Sequence, residues 1–145
     1  MVRFDIHTNM KWAAFGLVPT NTANRMAQLS GQYCATTTEV ITRGFYSTAL
    51  GTPEHPKDYT EVTSLGTSLL NGWSTCSFQR PLKTSNGQLY DLDRSDLYSV
   101  LAVGDSLDES YGVTTLQYHG GSNKLWYSNV NYTQYPVGKM EPPWS

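Results

Sequence analysis

The first seven residues after Met1, Val2-Arg-Phe-Asp-Ile-His-Thr8, alternate apolar and polar side chains without a break. Only a chain whose neighbouring residues point to opposite sides reads this way, so the pattern specifies a strand with Val2, Phe4 and Ile6 on one face and Arg3, Asp5 and His7 on the other. A turn at Thr8-Asn9 is expected to form a hairpin with a second strand over 11–17. Further strands are expected over 37–48, 59–65, 72–80, 97–104 and 113–119. Stretches such as Gly51-Thr-Pro-Glu-His-Pro56 and Thr84-Ser-Asn-Gly87 carry turn chemistry between them. Ten tyrosines and twelve glycines beside sparse Lys and Glu favour strands and turns over helices. The only helical candidate is a turn or two around 24–29. Seven or eight short strands imply two packed sheets, an all-β antiparallel β-sandwich of immunoglobulin-like architecture.

With 145 residues and 39% hydrophobic content, the chain can bury one core. No shift in composition divides it, so we expect one domain over 1–130 and an extended tail or linker over 131–145. Net charge is −2 and charged residues make up only 15%, which leaves no basic face to neutralise a phosphate backbone and excludes nucleic acid as the expected partner. The apolar runs Trp12-Ala-Ala-Phe-Gly-Leu-Val18 and Val100-Leu-Ala-Val103 fall well short of the roughly 20 residues of a membrane-spanning helix. The N-terminal MVRFDIHT lacks the basic start, apolar centre and cleavage site of a secretory signal, so Met1 reads as an artificial start or a break inside a longer chain. Cys34 and Cys76 match no zinc spacing, which leaves one disulfide or two buried thiols, the disulfide being our expectation. The sequon Asn131-Tyr-Thr133 makes Asn131 a candidate glycosylation site and fits a secretory route, as a short pattern that chance also produces.

Two motifs tempt and then fail. Val100-Leu-Ala-Val-Gly-Asp-Ser-Leu107 resembles the nucleophile block of GDSL hydrolases, with Ser106 as nucleophile. That chemistry needs a base and a carboxylate to activate the serine, and Leu116 stands where an Asp-x-x-His pair would put its acid ahead of His119. Tyr90-Asp-Leu-Asp-Arg-Ser-Asp96 alternates oxygen ligands as a calcium loop does. Asp96, however, occupies the glycine position and no glutamate closes the loop, so a solvated turn is expected. Of the three histidines, His7 and His55 are expected in solvent. His119 ends a strand in Leu116-Gln-Tyr-His-Gly-Gly121, where two glycines leave room beside the imidazole. From its local sequence alone it is a hydrogen-bonded structural residue or a ligand.

A wider pattern bears on that choice. Trp12-Ala-Ala-Phe-Gly-Leu17, a polar loop with Met26, Cys76-Ser-Phe-Gln-Arg-Pro-Leu82, Tyr90-Asp-Leu92, Leu101-Ala-Val-Gly104 and Tyr118-His119-Gly120 follow one another along the chain. In this order they resemble a DOMON domain across roughly 2–127. That family includes the haem-binding cytochrome domain of cellobiose dehydrogenase and extracellular domains attached to b-type transmembrane cytochromes. The resemblance implies a β-sandwich holding haem b between Met26 and His119 as axial ligands. Imidazole and a soft thioether suit iron, and the thioether raises the potential. With both axial positions filled, the implied function is transfer of single electrons to or from a partner redox domain or membrane b-type cytochrome, in an extracellular or lumenal setting. The sequence departs from the family after the methionine, where Ala27-Gln-Leu-Ser-Gly-Gln-Tyr-Cys34 replaces a closely following acidic residue and a Val/Ile-rich strand. The family's first strand is also expected to be missing. Met10 and Met140 are weaker substitutes for Met26, and Arg80 is expected to serve the strand rather than a haem propionate.

The rival reading is a haem-free extracellular module that binds carbohydrate or protein through Trp73, Trp126, Tyr127 and Tyr132. Tyrosine-rich surfaces suit interfaces as well as cores. A hydrolase built on Ser106 is the weak third.

Overall fold

A computed structural model describes residues 1–21, 28–47, 59–105, 107–108, 115–116 and 125–128. The chain is all-β, with two antiparallel sheets and, among the described residues, no helix. Its strands are β1 (Val2–Thr8), β2 (Trp12–Pro19), β3 (Leu29–Thr36), β4 (Val40–Ser47), β5 (Thr63–Leu70), β6 (Trp73–Arg80), β7 (Leu97–Gly104), β8 (Leu107–Asp108), β9 (Thr115–Leu116) and β10 (Leu125–Ser128). One sheet has the order β1-β6-β5 and the other β10-β7-β2-β3-β4, while β8 and β9 form a small ribbon.

The alternation of β1 holds in the structure: Val2, Phe4 and Ile6 pack into the core while Arg3, Asp5 and His7 are exposed. Phe4 stacks on Phe15 of β2 and on Phe78 of β6, with ring centroids 5.0 and 5.3 Å apart. These rings join the two sheets. The expected β1–β2 hairpin does not form. β1 pairs instead with β6, from Val2 opposite Arg80 to Thr8 opposite Ser74. The physical reason lies in β2, whose two edges are already taken by β3 and β7. Residues 9–11 therefore carry the chain from one sheet to the other.

The helical turn expected around 24–29 is tested only at its end. Leu29 opens β3, and 24–27 lie outside the described residues. Gly31 is what allows β3 to lie where it does, because a Cβ there would collide with the backbone of Phe15. The strand expected at 59–65 begins later, at Thr63, and Tyr59 is spent as a buried hydrogen-bonding residue. β5 and β6 form a tight hairpin through Asn71 (φ 53°) and Gly72 (φ 79°), the paired left-handed residues of a type I′ turn.

Cys34 on β3 and Cys76 on β6 are joined in a disulfide, and both are fully buried. The bond links the two sheets through the middle of the sandwich.

Candidate functional site

An antiparallel sheet in a two-layer sandwich ordinarily turns polar residues outward. The five-stranded sheet breaks this rule. Along β2, Phe15 and Leu17 face the other sheet, yet the alternating residues Trp12, Ala14 and Val18 on the opposite face are buried as well. Pairing continues this apolar face sideways. Trp12 lies opposite Ala35, and Ala14 opposite Tyr33 on β3, while Gly16 lies opposite Val100 and Ala14 opposite Ala102 on β7. Val18 is 0% exposed, Tyr33 and Phe45 2% each. Leu107 also packs against this cluster. The sheet is therefore shielded on both faces, which explains why β2 reads as an unbroken apolar run.

The expected haem ligands lie in connections between strands. Met26 lies between β2 and β3, and His119 between β9 and β10. Both, with Ser106, His55, Asn131, Tyr132 and Met140, lie outside the described residues. Met10 is described and sits in the link between the sheets, where its backbone N–H donates to Thr8 Oγ1 at 3.0 Å. Among the described residues no group of three or more His, Cys, Asp or Glu could hold a metal ion.

At the edge of the sheet where β3 begins, a cluster of buried tyrosines meets the backbone. The Tyr59 hydroxyl donates to Phe45 O at 2.8 Å and lies 2.9 Å from Ser30 Oγ. The Tyr90 hydroxyl donates to Gln28 O at 2.5 Å. Gln28 itself is left-handed, with φ 66°, and its N–H donates to Ser47 O at 2.8 Å. Burial, then the neighbouring Tyr46, pushes the Tyr90 phenol well above the ordinary tyrosine range. Reading the sequence missed this cluster. The only signal was a tyrosine in each of two connections, Tyr59 ahead of β5 and Tyr90 ahead of β7.

Arg80 is 4% exposed, and its guanidinium donates to Pro81 O at 3.1 Å and to Tyr90 O at 2.5 Å. It serves the fold, as expected. The carboxylates of 91–96 do not converge as calcium ligands would. Asp91 accepts from the Thr84 N–H at 2.8 Å, Asp93 pairs with Lys83, and Asp96 pairs with Arg94 at 2.7 Å. These pairs hold the Asp96 carboxyl below, and the Lys83 ammonium above, their ordinary values. The stretch is a turn, but only in part a solvated one: Asp93, Ser95 and Asp96 face solvent while Tyr90 and Leu92 are buried. Gly104, the glycine of the hydrolase-like motif, lies under the Trp12 indole, which a Cβ at that position would overlap.

On the outer face of the three-stranded sheet, Trp73 is 41% exposed and stacks on His7 with centroids 4.6 Å apart. His7 Nδ1 lies 2.8 Å from Thr75 Oγ1. Trp126 and Tyr127 occupy positions on β10 opposite Leu101 and Val100 of β7.

No protein-family profile matches the chain, and no curated protein matches it in sequence. Among solved structures it is similar to the cytochrome domain of Myriococcum thermophilum cellobiose dehydrogenase, with a TM-score of 0.51 and 16% identity. The match covers 92% of this chain and 71% of that one. At this identity the likeness is one of fold.

Proposed function

We propose that this chain is a DOMON-type electron-transfer module that binds haem b, with Met26 and His119 as axial ligands. The observation that carries the proposal is the likeness in fold to a cytochrome domain over 92% of this chain. Met26, in the β2–β3 connection, and His119, ahead of β10, stand in the order along the chain that the resemblance requires. Haem, when bound, supplies a one-electron iron couple.

His119 and Met26 would hold the iron and leave it no open position for oxygen, so the chemistry the group would supply is transfer of single electrons. The disulfide and the resemblance support a setting outside the cell or in a lumen, where a partner redox domain or membrane b-type cytochrome would exchange electrons with it.

Titration of the purified protein with haemin tests this reading. A stoichiometric complex whose Soret band sharpens and moves to the red on dithionite reduction is the expected result. A protein that stays colourless contradicts it and favours the second reading, a module binding carbohydrate or protein through its exposed aromatics, for which the exposed Trp73–His7 stack is the supporting observation.

A further inference from the structure

β5 is exposed along its whole length, from Thr63 to Leu70. It pairs with β6 on one side and, among the described residues, with no strand on the other. Residues opposite one another on paired strands share a face, so Ser64, Thr67 and Leu69, opposite the buried Phe78, Cys76 and Ser74, belong to the face turned toward the five-stranded sheet. They are open to solvent all the same, which means that the smaller sheet overhangs the larger one here. Leu69 is 53% and Leu70 71% exposed, and Leu70 lies opposite the exposed Trp73.

An open strand edge is a template for another strand, and proteins guard such edges with charge. β1, the other edge of the same sheet, carries Arg3, Asp5 and His7, and β4, an edge of the larger sheet, carries Arg43. β5 has no such guard. Between Glu61 and Arg80 the chain holds no charged residue, although charged residues make up 15% of the whole. A bulge between Ser64 and Gly66 disturbs one end of the edge, but Thr67–Leu70 pairs regularly with Trp73–Cys76.

We propose that β5 is a self-association edge: the Thr67–Leu70 stretches of two copies pair antiparallel about a two-fold axis and join their three-stranded sheets into one sheet of six strands. Absence of charge selects this occupant. A charged partner would find no counter-charge on the β5–β6 hairpin and would have to desolvate its own. A second copy of the same hairpin brings no like charges face to face, and it supplies its own Leu69, Leu70 and Trp73 to cover the leucines of the first. One strand set against its own copy by a two-fold axis is a self-complementary contact, the commonest kind in homo-oligomers. The pairing goes beyond the haem reading and does not depend on it, since β5 holds none of the residues assigned to iron. So short a seam lies at the small end of specific interfaces, so the dimer should be weak and its population should follow concentration.

The test is sedimentation of the purified chain at concentrations from micromolar to about 1 mM, beside amide NMR spectra over the same range. Wild type should pass from monomer toward dimer, and the amides of Thr67–Leu70 should shift with concentration while those of Arg3–His7 stay still. Leu69→Lys puts a like charge on each side of the seam and should weaken association at least about tenfold. Leu70→Lys, at a position still more exposed, should do the same and serves if the first variant does not fold. Ser95→Lys makes the same change in net charge on an exposed turn outside β5 and should associate as wild type does. A wild type that stays monomeric throughout the range overturns the proposal and leaves β5 to a different partner. Association that both β5 variants retain, or that Ser95→Lys weakens as much as they do, overturns it as well, because the contact then lies elsewhere or reflects net charge alone.

Discussion

Cys34 on β3 and Cys76 on β6, 42 positions apart in sequence, bridge the two sheets at the middle of the sandwich with their Cα atoms 5.7 Å apart. The three-stranded sheet spans only part of the five-stranded one, so the bond fastens the smaller layer at the point where β6 lies over β3.

Removing that bond should cost much of the stability. Closing a loop of this length removes denatured-state entropy worth about 4 kcal/mol in the chain-entropy account. The double variant Cys34→Ala/Cys76→Ala should lower the urea midpoint accordingly, as followed by tryptophan fluorescence. A midpoint within experimental error of the wild type would show that the two layers hold without the bridge. Both sulfurs are fully buried, so reductant alone should act slowly on the native protein and quickly in urea.

The glycine of the hydrolase-like motif gives a second test. Gly104→Ala would drive a methyl group into the Trp12 indole, and overpacking of this kind costs about 1–3 kcal/mol. Gly87, with nothing near the position of an added Cβ, provides the control, and Gly87→Ala should stay within about 0.5 kcal/mol of wild type. Equal denaturation midpoints for the two variants would mean that Gly104 is not packed as described.

The strands were legible where side-chain alternation was strong and where the wrong partner could not intrude. β1 and β7 read correctly from Val2-Arg-Phe-Asp-Ile-His and from the apolar run before Gly104. β3 was missed because its alternation is carried by Leu29, Gly31, Tyr33 and Ala35, and glycine and alanine give a weak apolar signal. Pairing was harder than strand identity. Nothing in Thr8-Asn9 tells a hairpin from a crossover, since the answer depends on β3 and β7, which occupy both edges of β2. The local signal that did exist, Asn71-Gly72 between two strands, marks the hairpin of β5 and β6. The disulfide was narrowed to two possibilities by counting and decided by geometry. The second apolar face could have been suspected from β2, because a strand apolar at every position is buried on both sides. The tyrosine cluster could not, since Tyr90 and Gln28 are 62 residues apart.

Alkaline pH should act through Tyr90. Its folded-state pKa is raised, so its contribution to stability is complete below the ordinary tyrosine pKa of 10.0 and is lost as pH rises beyond it, where the unfolded chain ionises first. Wild type should therefore lose stability more steeply above about pH 10 than Tyr90→Phe does. Parallel stability profiles for the two proteins between neutrality and pH 11 would show that this phenol is not held neutral by the fold.

The two proposed iron ligands should fail differently when replaced. His119→Ala removes the stronger donor, so haem should be lost on gel filtration, and a variant that keeps normal spectra excludes the imidazole as ligand. Met26→Leu keeps the apolar bulk but not the sulfur. Haem should remain bound, five-coordinate or with a substitute, and the potential should fall, because a thioether favours the ferrous state more than water or a second imidazole does. A drop of at least about 59 mV, a tenfold change in a one-electron equilibrium, is the expected scale. An unchanged potential in that variant, together with a changed one in Met10→Leu, would move the ligand from the β2–β3 connection to the link between the sheets.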